Sequence, residues 1–430
     1  MPEFNPRQFL TELFHTAVAT ADPAEVLPPF LPSTPPPDNR PLIVIGAGKA
    51  ACAMAASLEQ HWEGPLKGLV VTAYGHSKPL AHIEVIEASH PVPDSNSERA
   101  AQKMLALVEN LTAQDRVICL ISGGGSSLLA QPAPDLTLAD KQAINRALLT
   151  SGADIHEMNC VRKHLSAIKG GRLAAACAPA ELLTLAISDV PGDDPAVIAS
   201  GPTVADPTTS EMALAILRKY HIDAGTAVEQ WLHNPLSETP KPGDPFLARC
   251  DYRMIAAPAQ SLAAAVSQVE QYGFTALSLG DDLTGEARDL AREHAELALT
   301  TARGCGPVKP PCVILSGGET TVTIRGSGKG GRNGEYLLAL ADALQGAPGI
   351  YALAADTDGI DGAGDNAGAV ISPDSWYRAQ GMGLNTTVEL ADNNCYNFFK
   401  ALGDLIITGP TRTNVNDFRA ILVLPPGPRA

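Results

Sequence analysis

The chain has 430 residues, too many for one compact core, so two or three domains are expected. Its formal net charge of -16 argues against nucleic acid and anionic membrane surfaces as partners, since both are held by gathered lysines and arginines. Apolar residues make up 45% and charged residues 18%, ordinary for a globular protein, and no run approaches the ~18 uninterrupted apolar residues of a membrane span.

The N-terminus, MPEFNPRQFLTELF, lacks the basic-then-apolar pattern of a secretory signal. The eight cysteines include no Cys-x-x-Cys pair and read as reduced thiols of a cytoplasmic protein, with Cys119 and Cys312 buried in apolar runs. Residues 8–27 read as an amphipathic helix. The Pro-rich stretch LPPFLPSTPPPDNRP that follows excludes helix and central strand, and reads as a surface connector.

Strands and helices then alternate. PLIVIGAG, GLVVTAY, HIEVIEAS, DRVICLISGGG and LLTLAISDV read as strands; KAACAMAASLEQ, SERAAQKMLALVEN and LTLADKQAINRALLTSG read as helices. Short apolar runs separated by helical patterns predict a parallel sheet covered on both faces. At 232–248 the composition turns Pro-rich and polar, which predicts a boundary between domains 1–240 and 241–430. Beyond it YRMIAA, FTALSLG, CVILSGGETTVTI, IYALAAD and LIITG read as strands. SLAAAVSQVEQYG, TGEARDLAREHAELAL and NGEYLLALADAL read as helices. The predicted fold class is therefore α/β in two domains: an N-terminal Rossmann-like, mostly parallel sheet and a smaller C-terminal α/β domain. VICLISGGGSS and CVILSGGETT echo each other, one per domain, as strands running into Ser-Gly-Gly, and could face each other across a cleft.

Seven segments carry candidate chemistry. Gly46-Ala47-Gly48-Lys49-Ala50-Ala51 fits G-x-G-x-x-A between a strand and a helix, a weak dinucleotide signature. The second strand ends Thr72-Ala73-Tyr74-Gly75, without the acid that holds a ribose, whereas Lys49 is placed for a phosphate or carboxylate at a helix start. A purely structural turn is the alternative. Ser122-Gly123-Gly124-Gly125-Ser126-Ser127 can expose successive N–H groups to an anion, or be a tight turn. The island Arg162, Lys163, Lys169, Arg172 contains no acid, and suits carboxylate or phosphate capture if it is not a solvated helix face. Asp189 at a strand end can accept a hydroxyl proton or hold a metal, while Asp193 and Asp194 read as turn formers.

In the second half, Gly317, Gly318 and Glu319 end a strand, and the loop carrying Lys329, Arg332, Asn333 and Glu335 suits a polyphosphate. It is not a Walker A loop, because Lys329 is followed by Gly330 rather than Ser or Thr. Asp356, Asp358 and Asp361 can hold Mg²⁺ beside phosphates, or form an Asx-rich turn. Thr408 to Asp417, including Asn414, is a polar loop after a strand. Glycine nests, gathered cations and carboxylates at strand ends are what phosphoryl transfer needs.

Taken in order, IGAGKAA, LISGGGSSLL, NCVRKHLSAIKGGRLA, ISDVPGDDPAVIASGPT, LSGGETTV, GKGGRNGE, ADTDGIDG and TGPTRTNVND resemble the class-II glycerate kinases with a MOFRL-type C-terminal domain, over nearly the whole chain. The resemblance implies ATP, Mg²⁺, transfer to a hydroxyl of D-glycerate with 2-phosphoglycerate as the usual product, and a site in an interdomain cleft. It implies that Lys49, Asp189 and Arg332 are catalytic. Gly334 stands where the pattern leads one to expect Gln, Ala363-Gly364 where Pro-Thr is common, and Arg412 where Gly is common.

On this reading Lys49 and Arg332 bind the transferring phosphate and Asp189 orients or deprotonates the acceptor hydroxyl. Arg162, Lys163, Ser122 and Ser126 hold the substrate, with Arg162 or Lys163 on its carboxylate. Gly46, Gly48, Gly123, Gly124, Gly125, Gly317, Gly318, Glu319, Lys329, Asn333, Glu335 and Asn414 surround the nucleotide, and Asp356, Asp358 and Asp361 hold Mg²⁺. The expected partners are D-glycerate and ATP, with no nucleic acid and no membrane, and a homodimer is compatible. The 2- and 3-hydroxyl remain alternative acceptors. The rival functions are a nicotinamide-dependent hydroxypyruvate reductase, a name some family members carry, and a non-catalytic sugar-acid binding protein.

Overall fold

The computed structural model describes residues 4–425; residues 1–3 and 426–430, included in the domain ranges above, lie outside the described residues. The chain forms two compact units: Pro23–Ala256, and Met1–Asp22 together with Ala257–Ala430. This differs from a division at 240/241 in two places, each with a packing reason. Helix Pro6–Ala19 buries Phe9, Leu10, Leu13 and Phe14 in a cluster with Leu262, Ala265 and Phe418, so it belongs to the later unit. Residues 250–256, read above as the first strand of the second half, are hydrogen-bonded into the sheet of the earlier one.

The Pro23–Ala256 unit is built on β1 (Leu42–Ala47), β2 (Leu66–Ala73), β3 (Ile83–Ala88), β4 (Arg116–Ile121), β5 (Glu181–Ile187) and β6 (Cys250–Ala256). All five pairings are parallel, in the order β3-β2-β1-β4-β5-β6. Every residue of β1 is buried, as a central strand covered on both faces must be. The connecting helices start where the sequence supplies caps. Asp94 with Ser97 opens Ser95–Leu107, Thr137 with Asp140 opens Leu138–Ser151, and Asp154 with Glu157 opens Ile155–His164. The strand order reverses between β1 and β4. Open α/β sheets bind ligands at such a point, beyond the carboxyl ends of the strands.

The other unit contains β7 (Thr275–Ser278), β8 (Cys312–Gly318), β9 (Ile350–Asp356), β10 (Gly368–Ile371), β11 (Leu405–Ile406) and β12 (Asp417–Val423), ordered β11-β10-β9-β12-β8-β7. Only β7 and β8 run parallel; the other four pairings are antiparallel. The sequence reading missed β10 and β12. β12 is a fully buried strand between β8 and β9 whose middle carries an arginine, Arg419. All eight cysteines are free thiols, and Cys119 and Cys312 are buried as expected. Among the described residues no helix is long and apolar enough to cross a membrane.

Candidate active site

At the switch point of the parallel sheet, the loops after β1 and β4 are tied into one piece. Ser122 Oγ accepts from the Ala50 N–H at 3.0 Å, the Lys49 N–H donates to Gly123 O at 2.9 Å, and the Ser122 N–H donates to Ala47 O at 3.1 Å. Gly48 has φ 139°, and a Cβ there would fall 2.5 Å from Ser122 O and closer still to its hydroxyl. The glycine face that would admit a dinucleotide pyrophosphate is therefore filled by Ser122. Gly46 serves the sheet itself, since a Cβ would meet Leu120 O at 2.5 Å. Gly123, Gly124 and Gly125 lead into the short turn Gly125–Leu128. Gly124 (φ 77°) is pressed so close that a Cβ would lie 2.9 Å from His90 Cδ2 and 3.5 Å from Lys49 Cγ. Lys49 is half-buried beside this turn, and Asp189, also half-buried, follows β5, the neighbour of β4.

Next to Gly124 lies a cavity of about 270 Å³, below the ~300–1,000 Å³ of sites for drug-sized ligands, and so sized for a small molecule. Its polar lining includes Ser126, Lys141, Asn145, Arg162 and Lys169. Lys169 Nζ donates to Ser126 Oγ at 2.8 Å and also bonds Ser126 O. Ser126 Oγ in turn meets Ser200 Oγ at 2.9 Å. Arg162 Nε donates to Asn145 Oδ1 at 2.6 Å, and Lys141 Nζ to Gln131 O at 3.3 Å. All these partners are neutral, and none of the three cations has a carboxylate within ion-pair distance among the described residues. Burial, reinforced by Arg162, pushes Lys141 down to about 7. Burial, reinforced by Lys141 and Arg162, pushes Lys169 well below the usual lysine range. The cavity is thus lined by cations that repel one another and lack counter-charges, an arrangement suited to a small anion.

The predicted substrate residues divide. Arg162 and Ser126 line the cavity. Lys163, the next residue on the helix, is buried and paired with Asp206 at 3.4 Å, away from the cavity lining. The Ser122 hydroxyl is committed to the Ala50 N–H and is fully buried. Arg172 donates to the carbonyls of Leu236, Ser237 and Glu238. Lys141 went unrecognised because it lies on a helix whose sequence reads only as amphipathic. Its neighbour on the cavity wall, Arg162, belongs to the next helix.

In the other unit, Arg332 begins helix Arg332–Leu344 and meets three carboxylates: Glu319 at 2.6 Å, Asp356 at 2.8 Å and Asp417 at 2.8 Å. Burial opposes its charge, but Asp417, Asp356 and Glu319 outweigh that and hold it far up. Asn333 is buried, its Nδ2 donating to Asp417 Oδ1 at 2.7 Å. Glu335 is buried against Arg288 and Asn393. Gly317 and Gly318 offer their carbonyls to Arg419. Lys329 Nζ stands 4.0 Å over the Tyr396 ring, and Asn414 Oδ1 accepts from the Asn416 N–H at 3.2 Å. Gly334 has no room for a glutamine, since a Cβ would lie 2.7 Å from Cys395 Sγ. Arg412, where glycine is common in the resembling pattern, sits at φ 63°.

The three predicted Mg²⁺ ligands do not form a set. Among the described residues no group of three or more His, Cys, Asp or Glu side chains could hold a metal ion. Asp361 caps the helix start, accepting from the backbone of Asn333 at 3.0 Å and Gly334 at 2.8 Å, and burial pushes it up to about 6. Asp356 accepts from Arg332 and from the Asp358 N–H at 3.0 Å, and Asp358 Oδ1 accepts from the Ile360 N–H at 2.8 Å. Asp361 does not fit a ligand. The other two fit the sparser mode in which Mg²⁺ uses one or two carboxylates and nucleotide phosphates.

Two families match the chain: a domain of unknown function, DUF4147, over residues 9–233, and the MOFRL family over 312–417. An Agrobacterium vitis protein named, provisionally, a hydroxypyruvate reductase is 52% identical, over 98% of this chain and 95% of its own. The D-glycerate 2-kinase of Thermotoga maritima is 42% identical, over 87% of this chain and 89% of its own. A crystal structure of glycerate kinase from Thermotoga maritima superposes with a TM-score of 0.86 at 37% identity, covering 97% of this chain and 99% of that one.

Proposed function

The chain belongs to the class-II glycerate kinase family, and from that premise we propose that it transfers the γ-phosphoryl group of ATP to the 2-hydroxyl of D-glycerate. The observation that carries the acceptor side is the small cavity lined by Arg162, Lys141 and Lys169 beside the Lys49 turn at the sheet's switch point. A small hydroxy acid fits it in size and in charge. Arg162 takes the carboxylate, for which its planar fork is suited. Asp189 accepts the hydroxyl proton as the new O–P bond forms and the bond to the β–γ bridging oxygen breaks, giving ADP and 2-phosphoglycerate. Lys49 stabilises the charge on the transferring group.

In the other unit Arg332 meets the nucleotide phosphates by exchanging Glu319, the most exposed of its three carboxylate partners, while Asp417 and Asp356 keep its guanidinium oriented. Mg²⁺ would neutralise phosphate charge, with Asp356 and Asp358 as its carboxylates, directly or through water.

The test is a product assay. Protein, D-glycerate, ATP and Mg²⁺ are followed by phosphorus NMR, with hydroxypyruvate and NADH in parallel. The expected outcome is 2-phosphoglycerate with NADH untouched. NADH consumption without phosphoryl transfer would replace the kinase reading by the reductase one, against the filled face of Gly48.

A further inference from the structure

Lys141, Arg162 and Lys169 line one cavity with Ser126, Ser127, Gln142 and Asn145, and no Asp or Glu lines it. A hydroxy acid brings a single negative charge to these three cations. Its phosphate ester brings about two more at neutral pH. Lys169 is 3% exposed and bonded to Ser126, so it stays charged within the wall only at a desolvation cost that an anion would offset.

We infer that this cavity is a polyanion site that holds the phosphorylated hydroxy acid more tightly than the unphosphorylated acid, so that the enzyme retains its own product. The inference rests on the kinase reading for the identity of that ester. A second consequence concerns protons. The groups facing Lys141 are Arg162 from helix Ile155–His164, Lys169 from the turn beyond it, and His90 on the cavity wall, with Glu98 of helix Ser95–Leu107 acting in the opposite sense. Lys141, pushed down to about 7 by burial and Arg162, gives up charge as pH rises towards 8. A bound polyanion favours its charged form, so binding at pH 8 draws in a proton. The ester's second ionisation, with a pKa of about 6, is complete at that pH, so the proton goes to the protein.

The experiment is isothermal titration calorimetry on the full chain at pH 8, with 2-phosphoglycerate and with D-glycerate, in two buffers of different ionisation enthalpy. The expected result is ester binding tighter than glycerate by about tenfold or more, with net uptake of protons. Lys141→Arg is expected to keep the preference and reduce the uptake, with Lys169 left as the other acceptor; Lys141→Met is expected to weaken both. Between pH 7 and 9 the dissociation constant of the native protein should rise with pH, and that of Lys141→Arg should rise less steeply. Equal affinity for the two ligands, or uptake undiminished in Lys141→Arg, overturns the inference. If glycerate is phosphorylated in the product assay and the ester still binds no tighter, the inference falls and the kinase reading stands. If glycerate is not phosphorylated but the ester binds tighter with proton uptake, the polyanion site stands and the kinase reading falls.

Discussion

Arg332 Nε and Asp417 Oδ1 meet at 2.8 Å, and the same carboxylate also accepts from Asn333 at 2.7 Å and, through Oδ2, from Arg419 at 2.7 Å. Asp417 is buried, so its neutralisation leaves Arg419, equally buried, without the one carboxylate it pairs with among the described residues. Asp417→Asn is expected to destabilise its unit by about 3–5 kcal/mol, the usual cost of breaking a buried pair. Urea unfolding of the full chain reads this; an unshifted midpoint would mean that Gly317 O and Gly318 O suffice for Arg419.

Lys49→Ala is expected to lower kcat by about 10²–10³ with KM for glycerate changed little, as for loss of a charge that acts on the transition state. Circular dichroism should match the native protein, because the Lys49 N–H bond to Gly123 O is a backbone contact. A normal kcat would remove Lys49 from the phosphate role.

Neighbouring residues of one helix should behave oppositely. Arg162→Lys should raise KM for glycerate by about ten- to a hundredfold, since the fork to the carboxylate is lost. Lys163→Met should leave KM alone and cost stability, because it strands Asp206, which is fully buried. If Lys163→Met raised KM and Arg162→Lys did not, the cavity would not be the acceptor site.

Asp361 supplies a pH test. Its carboxyl is pushed up from the usual carboxylate range to about 6 by burial, so between about pH 4 and 6 the folded state binds more protons than the unfolded. This group's contribution to stability therefore falls as pH rises through that window. Comparing urea midpoints at pH 4, 5 and 6, the fall should be smaller in Asp361→Asn than in the native protein. A parallel pair of curves would mean that the Asn333 and Gly334 N–H groups keep Asp361 ionised throughout.

Gly334 should tolerate no side chain while Cys395 is present. Gly334→Ala is expected to cost about 1–3 kcal/mol by overpacking against Cys395 Sγ, and Cys395→Ala should restore part of it. Thermal unfolding of the single and double variants checks the pair.

The parallel sheet was legible because β1, β4 and β5 are short, mostly apolar runs closed by glycine or a polar residue, and they are largely buried. β12 was not, because Arg419 interrupts its apolar run and is neutralised by Asp417, Gly317 and Gly318, two of them about a hundred residues away. The carboxylates at 356–361 looked like one cluster by their density in sequence. Asp361 instead answers to the start of a helix 28 residues earlier, through the Asn333 N–H. Arg162 could be picked from its acid-free neighbourhood, but the convergence of Lys141 on it is tertiary and leaves no local mark.

Helix Pro6–Ala19 carries a further consequence during synthesis. Its apolar face waits for Leu262, Ala265 and Phe418, so Phe14 leaves the ribosome about 400 residues ahead of a partner. At roughly 5–20 residues per second that interval is on the order of 20–80 s. The whole Pro23–Ala256 unit is made within it and can close its own sheet first. The nascent chain thus presents four buried-type side chains, Phe9, Leu10, Leu13 and Phe14, to the surrounding medium until Leu262 and Ala265 have been made. That makes this helix a segment a nascent-chain chaperone can engage while the Pro23–Ala256 unit is being made.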